Sequence, residues 1–114
     1  KVICWGSGNP TREFIHVRDA VMGLIKVGKY YDEDLPLNIG SQNEISIKNL
    51  TQIIADKCGY SGEIKWDKTK PDGRSRVCLN SEMMRKILPH WEMLSYEEGI
   101  KDTINWYRNS NLEI

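Results

Sequence analysis

Apolar residues along the chain fall into short runs that predict β-strands. Val2–Trp5 and residues 14–17 are two such runs, and a loop rich in glycine separates them. Residues 37–39 form a third run, and the chain becomes apolar again at residues 77–79. Residues 63–67 alternate polar and apolar positions, as a half-buried strand does. We therefore expect several strands of about three to five residues each.

Four other stretches show the three- and four-residue spacing of amphipathic helices. They run from Val17 to Gly28, from Ser46 to Gly59, from Ser81 to Leu88, and from Ser95 through Tyr107. The predicted inner faces are Val17, Ala20, Val21, Leu24 and Ile25 in the first helix, and Ile47, Leu50, Ile54 and Cys58 in the second. Ser46 is expected to cap the second helix, and Ser95 with Glu98 matches the capping box of the last one.

The mixture of helices and short strands predicts a small α/β lobe, of mixed α+β character, made from residues 1–114. The strands are too few and too short to form a complete doubly wound sheet. Residues 29–36 are acidic and residues 68–76 are basic, and both stretches lack the periodicity of a helix or strand. We expect both to be loops.

The charge balance limits the classes of partner. The 16 Lys and Arg residues equal the 16 Asp and Glu residues, which removes the usual electrostatic reason to bind nucleic acid or an anionic membrane. The chain has neither a long apolar span nor the pattern of a signal peptide, so we expect a cytoplasmic protein. It begins at Lys1 and enters an apolar run at once, which suggests a piece of a longer protein.

Recognised catalytic patterns are absent from the sequence. The three cysteines are far apart, so we predict half-buried or buried apolar side chains rather than disulfide or zinc ligands. With two histidines, His16 and His90, we predict no metal site. His16 is expected to bond a backbone carbonyl, and His90 to be exposed. The glycines at positions 6 and 8 lack the third glycine and the following helix of a dinucleotide fingerprint, so no cofactor is predicted there.

Two loops instead favour an anionic ligand. Arg12 follows the glycine-rich loop, where a guanidinium could hold a diphosphate with two hydrogen bonds. The basic loop carries Lys70 and Arg76 beside Asp72, whose carboxylate could accept from a ribose or sugar hydroxyl. Trp5 could form an apolar wall against a nucleotide, or it could belong to the core. Each cluster taken alone could equally be a solvated surface loop.

These same stretches resemble a known family. Residues 5–19 (WGSGNPTREFIHVRD), 37–50, 70–76 (KPDGRSR) and 95–107 are similar, in this order, to the C-terminal portion of GDP-L-fucose synthases. Those enzymes belong to the extended short-chain dehydrogenase/reductases, the NAD-dependent epimerases and dehydratases. The resemblance implies the C-terminal substrate-binding part of a Rossmann-type enzyme.

The resemblance also implies an activity for the parent protein: an NADP-dependent epimerase-reductase that converts GDP-4-keto-6-deoxy-D-mannose to GDP-L-fucose. NADP and the catalytic residues would belong to an upstream half, so this chain alone is expected to be inactive. Trp5, Arg12 and Asp72 match substrate-contacting positions, and Lys70 and Arg76 match more weakly. The parent is expected to be a homodimer.

Several positions depart from the family pattern and leave alternatives open. Ser75 and Val77 replace a proline and a lysine of the usual loop, Gln42 replaces a glycine, and Arg18 replaces an aspartate. The loss of the lysine removes a phosphate-directed charge. Another nucleotide-sugar epimerase or reductase is therefore a second hypothesis. A non-catalytic interaction module with this fold is a third.

Overall fold

The computed structural model describes residues 1–110, which form a mixed α/β structure of five strands and four helices. In chain order the elements are β1 (Val2–Trp5), β2 (Thr11–Glu13), α1 (Val17–Tyr30), β3 (Glu44–Ser46), α2 (Ile47–Cys58), β4 (Ile64–Asp67), β5 (Arg76–Val77), α3 (Glu82–Ile87) and α4 (Tyr96–Asn109).

The strands form two small sheets. β1 and β4 pair in parallel, with Val2 opposite Ile64 and Trp5 opposite Asp67. In the second sheet β2 is central, β3 runs antiparallel to it, and β5 runs parallel to it. The parallel pairing of β1 with β4 brings the loops that follow these two strands to the same sheet edge.

Local sequence signals account for two helix boundaries. The Ser46 hydroxyl accepts from the Asn49 amide at the start of α2, and Gly59 ends that helix with φ 70°. At the start of α4, Ser95 and Glu98 form the predicted capping box. The Ser95 hydroxyl and then its amide lower the pKa of the Glu98 carboxyl. The capping predictions for both helices are confirmed.

The strand predictions are confirmed for β1 and β4, which form the first sheet, and are wrong for the second sheet. Residues 14–17 do not form a strand, and the neighbouring strand is Thr11–Glu13, because these residues pair with β3 and β5. Residues 37–39 are not in a strand, and the strand expected near 77–79 is the shorter Arg76–Val77. The apolar pattern did not locate β2 because its residues, Thr11–Glu13, are all polar.

Helix α1 buries a different face from the one predicted, and it continues two residues past Gly28. Its buried residues are Asp19 and Gly23. Asp19 Oδ2 accepts from the Leu94 amide at 3.0 Å, and Gly23 lies under the Trp91 ring. The predicted apolar residues are mostly exposed: Val17 68%, Val21 48%, Leu24 65% and Ile25 60%. We call these four residues the apolar stripe of α1.

Ser81 precedes α3 but does not cap it through its side chain. Its buried hydroxyl instead donates to the Gly40 carbonyl at 3.0 Å. The helix ends at Ile87, and Leu88 closes it through a backbone bond to Met84. Ser81 therefore ties α3 to the segment before β3.

The described residues have an open shape with little interior. The buried apolar residues are Ala55, Met84 and Leu88. The radius of gyration is 16.8 Å, compared with about 13 Å for a compact domain of this length. Cys58 is exposed, contrary to prediction, because the C-terminal end of α2 is uncovered, whereas Cys4 and Cys78 are half-buried. Over residues 1–110, no helix has the length and apolar character needed to cross a bilayer.

Candidate functional site

The glycine-rich loop and the basic loop meet at the carboxyl ends of β1 and β4. The first loop follows Trp5 and the second follows Asp67, and these two residues are partners in the parallel register. The Gly6 amide continues the ladder by donating to the Asp67 carbonyl at 2.9 Å. Ligands of α/β proteins commonly bind outside the carboxyl ends of parallel strands. The topology therefore explains why two loops so distant in sequence form one site.

A cavity of about 100 Å³ lies between these loops. It is lined by Trp5, Gly8, Pro10, Arg12, Ile47, Pro71, Asp72 and Gly73. Pockets for drug-sized ligands are about 300–1,000 Å³, so this volume fits a phosphate or part of a sugar rather than a whole nucleotide sugar. The structure thus brings three of the five predicted site residues to one small cavity.

Arg12 extends from the central strand β2 into this cavity. Its Nη1 donates to the Thr11 carbonyl at 2.6 Å, which fixes one edge of the half-buried guanidinium. Its Nη2 lies 3.3 Å from the point where a Cβ on Gly73 would be. The turn at Gly73 therefore approaches the guanidinium closely, and a side chain there would crowd it. A guanidinium held in this way can offer its remaining N–H groups to a phosphate.

Asp72 joins the two loops directly. Its Oδ1 accepts from the Ser7 amide at 2.7 Å, and its Oδ2 accepts from the Ser7 hydroxyl at 2.6 Å. These bonds, the hydroxyl's more than the amide's, hold the pKa of the Asp72 carboxyl below its ordinary value. The carboxylate is therefore anionic at neutral pH, and each oxygen keeps a lone pair for a ligand hydroxyl.

Trp5 is 72% exposed and does not belong to the interior of residues 1–110. The Lys70 ammonium lies 5.5 Å from its ring centroid, within the range of a cation–π contact. This contact places a positive charge and an aromatic surface side by side at the mouth of the cavity. The pair can contact a ligand that is both anionic and partly apolar.

Arg76 lies away from this group. It is the register partner of Thr11 on β2, whereas Arg12 is the register partner of Val77, and adjacent residues of a strand point to opposite faces. Nη2 of Arg76 contacts Glu44 Oε2 at 2.6 Å. Arg76 lines a second cavity, of about 370 Å³, on that opposite face. It is therefore not part of the predicted site.

That second cavity also contains Cys78. Partial burial raises the pKa of the Cys78 thiol, and the nearby carboxylates of Glu13 and then Glu44 raise it further. A thiol held in its protonated form is a poor nucleophile. The environment of Cys78 therefore does not activate its thiol as a nucleophile.

His16 holds a structural position at the start of α1. Its Nδ1 accepts from the Arg18 amide at 3.3 Å, and its Nε2 lies 3.4 Å from Asp102 Oδ2 on α4. The predicted carbonyl partner is wrong, because the ring caps the helix and faces a carboxylate instead. Since both nitrogens are engaged, the ring links two helices. His90 is exposed in a turn, as expected.

Sequence reasoning did not select Ser7, whose amide and hydroxyl both bond Asp72. The local signal is a serine between two glycines, Gly6 and Gly8, which have φ values of 82° and 77°. Such a turn predicts a local hydrogen bond of the serine hydroxyl, and the Asn9 amide does donate to it at 3.1 Å. No local pattern identifies a partner 65 residues away.

The glycine-rich loop does not fit a dinucleotide. A strand, β2, follows it instead of a helix whose N-terminus could face a pyrophosphate. The space beside Gly6 is filled by the Asp72 carboxylate, and the space beside Gly8 is filled by the Trp66 ring. These neighbours occupy the positions beside the two glycines where a dinucleotide fingerprint leaves its backbone open to a pyrophosphate.

Comparison with known proteins identifies relatives across nearly the whole chain. The model of the NAD dependent epimerase/dehydratase family matches residues 1–40. A probable GDP-L-fucose synthase 1 of Oryza sativa subsp. japonica is 33% identical over 108 residues, which are 94% of this chain and 32% of that protein. A putative UDP-glucose 4-epimerase of Methanocaldococcus jannaschii is 31% identical over 110 residues, 96% of this chain and 35% of that protein.

Comparison of the fold with solved structures agrees with the comparison of the sequences. A crystal structure of a GDP-L-fucose synthetase from Naegleria fowleri bound to NADP matches 93% of this chain and 34% of its own length, with a TM-score of 0.90 and 26% identity. The chain thus spans about a third of the length of these relatives. Its small mixed α/β structure is one found within Rossmann-type extended reductases. The chain thus matches the NAD dependent epimerase/dehydratase family over residues 1–40, and over nearly its whole length it is similar to the C-terminal part of GDP-L-fucose synthases.

Proposed function

We propose that this chain is the substrate-binding part of an NADP-dependent GDP-sugar epimerase-reductase, of the kind that makes GDP-L-fucose from GDP-4-keto-6-deoxy-D-mannose. The observation that carries the proposal is the convergence of Trp5, Arg12 and Asp72 on one cavity at the carboxyl ends of two parallel strands. In this assignment the Arg12 guanidinium binds a phosphate oxygen. Asp72 accepts from a sugar or ribose hydroxyl, and Trp5 with Lys70 contacts the rest of the nucleotide sugar.

The proton and hydride transfers are assigned to residues outside this chain. Among residues 1–110, His16 and Cys78 are in environments that do not suit an acid, base or nucleophile, since one is a helix cap and the other has a raised pKa. NADP, which the Naegleria fowleri structure contains, is assigned to the same outside part. The chain alone is therefore proposed to bind its ligand without turning it over.

The apolar stripe of α1 supports the assignment to a larger enzyme. Val17, Leu24 and Ile25 are each at least 60% exposed. Single exposed apolar residues are common, but a helical face made of them is typical of a surface that another polypeptide segment covers. Together with the large radius of gyration, this face suggests that residues 1–110 complete their packing against the rest of the enzyme.

A titration with nucleotides tests the proposal. Amide resonances of the intact protein are recorded while GDP is added to millimolar concentration. We expect shifts at Trp5, Arg12 and Asp72, and none on α3, which lies outside the cavity. The proposal is wrong if GDP causes no shifts in the two loops.

The similarity to a UDP-glucose 4-epimerase favours a second candidate, a related enzyme that uses a different nucleotide sugar. The same titration with UDP and dTDP separates the two. Tighter binding of GDP supports the first proposal, whereas tighter binding of UDP or dTDP supports the second. The third hypothesis is a non-catalytic interaction module. It is supported if the complete sequence of this protein lacks the cofactor site of the family.

A further inference from the structure

Ser7 is the residue through which the glycine-rich loop contacts the turn at Asp72. The Ser7 amide and the Ser7 hydroxyl each donate a hydrogen bond to a different oxygen of the Asp72 carboxylate, at 2.7 and 2.6 Å. The same hydroxyl accepts from the Asn9 amide at 3.1 Å. The Ser7 side chain is therefore oriented from its own loop while it bonds the other one.

The backbone of the glycine-rich loop is shaped to receive this carboxylate. Gly6 has φ 82°, a value that L-residues with a side chain rarely adopt. A Cβ on Gly6 would overlap Asp72 Oδ1. The loop therefore brings its bare backbone against Asp72, and the two loops are in direct contact at this point.

The turn that carries Asp72 has few other ties in the described part of the chain. Before Asp72, the Lys70 amide donates to the Asp67 carbonyl at 3.2 Å. After it, the Ser75 carbonyl accepts from the Thr11 amide at 2.9 Å. Between these two points the polar ties recorded over residues 1–110 are those to Ser7. Ser7 therefore holds the middle of the turn, next to Arg12 and the cavity.

We propose that Ser7 is a positioning residue that fixes the Asp72 turn over the nucleotide-sugar site before the ligand binds. This inference rests on the proposed function, and it adds a residue to the site that contacts Asp72 rather than the ligand. A turn that is already in place loses less conformational freedom on binding, so affinity is higher than for a mobile turn. Ser7 also orients the carboxylate of Asp72 toward a ligand hydroxyl.

Ser41 provides a matched control. Its hydroxyl accepts from the Asn43 amide, two residues on, at 3.2 Å, which is the same local bond that Ser7 makes with Asn9. Ser41 does not line the cavity, and its hydroxyl makes no bond to a distant carboxylate among the contacts of residues 1–110. Ser41→Ala thus removes the local bond alone, while Ser7→Ala removes the local bond and the tie between loops.

Two measurements on the intact protein test the proposal. The first is the rate of trypsin cleavage after Arg74 without ligand, followed by mass spectrometry. We expect Ser7→Ala to raise this rate about fivefold, as for the loss of one hydrogen bond, while Ser7→Thr and Ser41→Ala stay near the wild-type rate. Asp72→Ala should raise the rate to a similar extent, and the double variant should add little.

The second measurement is the dissociation constant for GDP. We expect Ser7→Ala to bind about three- to tenfold more weakly and Ser7→Thr to recover most of the affinity. The proposal is overturned if trypsin cleaves the Ser7→Ala variant at the wild-type rate. It is also overturned if this variant is cleaved faster but binds GDP with unchanged affinity. If the wild-type protein does not bind GDP, the proposed function fails alone, because the cleavage rates still decide whether Ser7 holds the turn.

Discussion

Arg76 and Glu44 form a two-pronged ion pair across the central strand of the three-stranded sheet. Arg76 Nη2 lies 2.6 Å from Glu44 Oε2, and Arg76 Nε donates to both carboxylate oxygens at 2.9 and 3.0 Å. Between them, the Thr11 hydroxyl donates to Glu44 Oε1 at 3.0 Å. The pair thus links the two edge strands, β3 and β5, over β2.

This pair predicts a loss of stability in acid. The Arg76 guanidinium, and then the Thr11 hydroxyl, hold the pKa of Glu44 below its ordinary value of 4.5. The folded state therefore binds fewer protons at this group than the unfolded state, so its contribution is complete above about pH 5 and disappears as pH falls through the lowered pKa. Thermal unfolding of the intact protein between pH 6 and about pH 3 measures this loss.

Glu44→Gln should lower the melting temperature at neutral pH by a few degrees and flatten the decline in acid. Glu63→Gln is the control, because the Glu63 carboxylate pairs with Lys65 at 3.2 Å while both side chains are more than half exposed. We expect little change in that variant. An acid limb of unchanged slope in Glu44→Gln would contradict the prediction.

Arg12→Lys should weaken GDP binding about tenfold, because a lysine cannot offer the planar, two-pronged donor that a phosphate accepts. Calorimetry measures the affinity. Arg85→Lys is the matched control, since Arg85 Nη2 also bonds a backbone carbonyl, that of Ser41, but lies outside the cavity. Equal affinities of Arg12→Lys and the wild type would remove Arg12 from the site.

Trp5→Leu should reduce GDP affinity by about tenfold, since it removes an aromatic surface and the contact with the Lys70 ammonium. Trp106→Leu changes another exposed tryptophan, on α4, and should leave the affinity unchanged. In the Trp106→Leu protein, GDP should still change the tryptophan fluorescence. If instead Trp106→Leu abolishes that change, the signal arises from α4 and Trp5 is not at the site.

Three glycines allow a comparison of backbone and packing effects. Gly8→Ala should destabilise the protein by about 2 kcal/mol or more, because Gly8 has φ 77° and a Cβ would lie 2.7–2.9 Å from the Trp66 ring. Gly59→Ala should cost about 1 kcal/mol, because φ is 70° but the space is open. Gly28→Ala should stabilise α1 by about 0.5–1 kcal/mol, since the position is helical and uncrowded. Denaturant unfolding should give this order.

The sequence predicts best those features that a local pattern of residues marks, and these include the apolar strands β1 and β4 as well as the helix caps. Ser46, Gly59 and the pair of Ser95 and Glu98 are correctly identified because each makes its bond within a few residues. Strand β2 is misplaced because Thr11–Glu13 has no apolar pattern and acquires its partners from β3 and β5. The sequence of Thr11–Glu13 alone does not indicate that it pairs with these two strands.

The same distinction applies to the site. Trp5, Arg12 and Asp72 could be proposed as residues of two loops, and the resemblance to a family selected them together. The pairing of Asp72 with Ser7, and the pairing of Arg76 with Glu44 on the opposite face, both depend on strand register. A one-residue change of register between β2 and β5 would exchange the faces of Arg76 and Val77. Composition cannot distinguish these arrangements.

The outward apolar stripe of α1 makes the behaviour of this polypeptide in solution depend on its surroundings. With Val17, Val21, Leu24 and Ile25 facing water, we expect the chain by itself to self-associate, to take up hydrophobic dyes such as anilinonaphthalene sulfonate and to be retained by chaperones. Replacing Leu24 and Ile25 by Lys and Glu should improve its yield as a monomer, while the same changes in a complete enzyme should impair its assembly. The same substitutions would then have opposite effects, raising the monomer yield of the isolated chain and lowering the assembly of the complete enzyme.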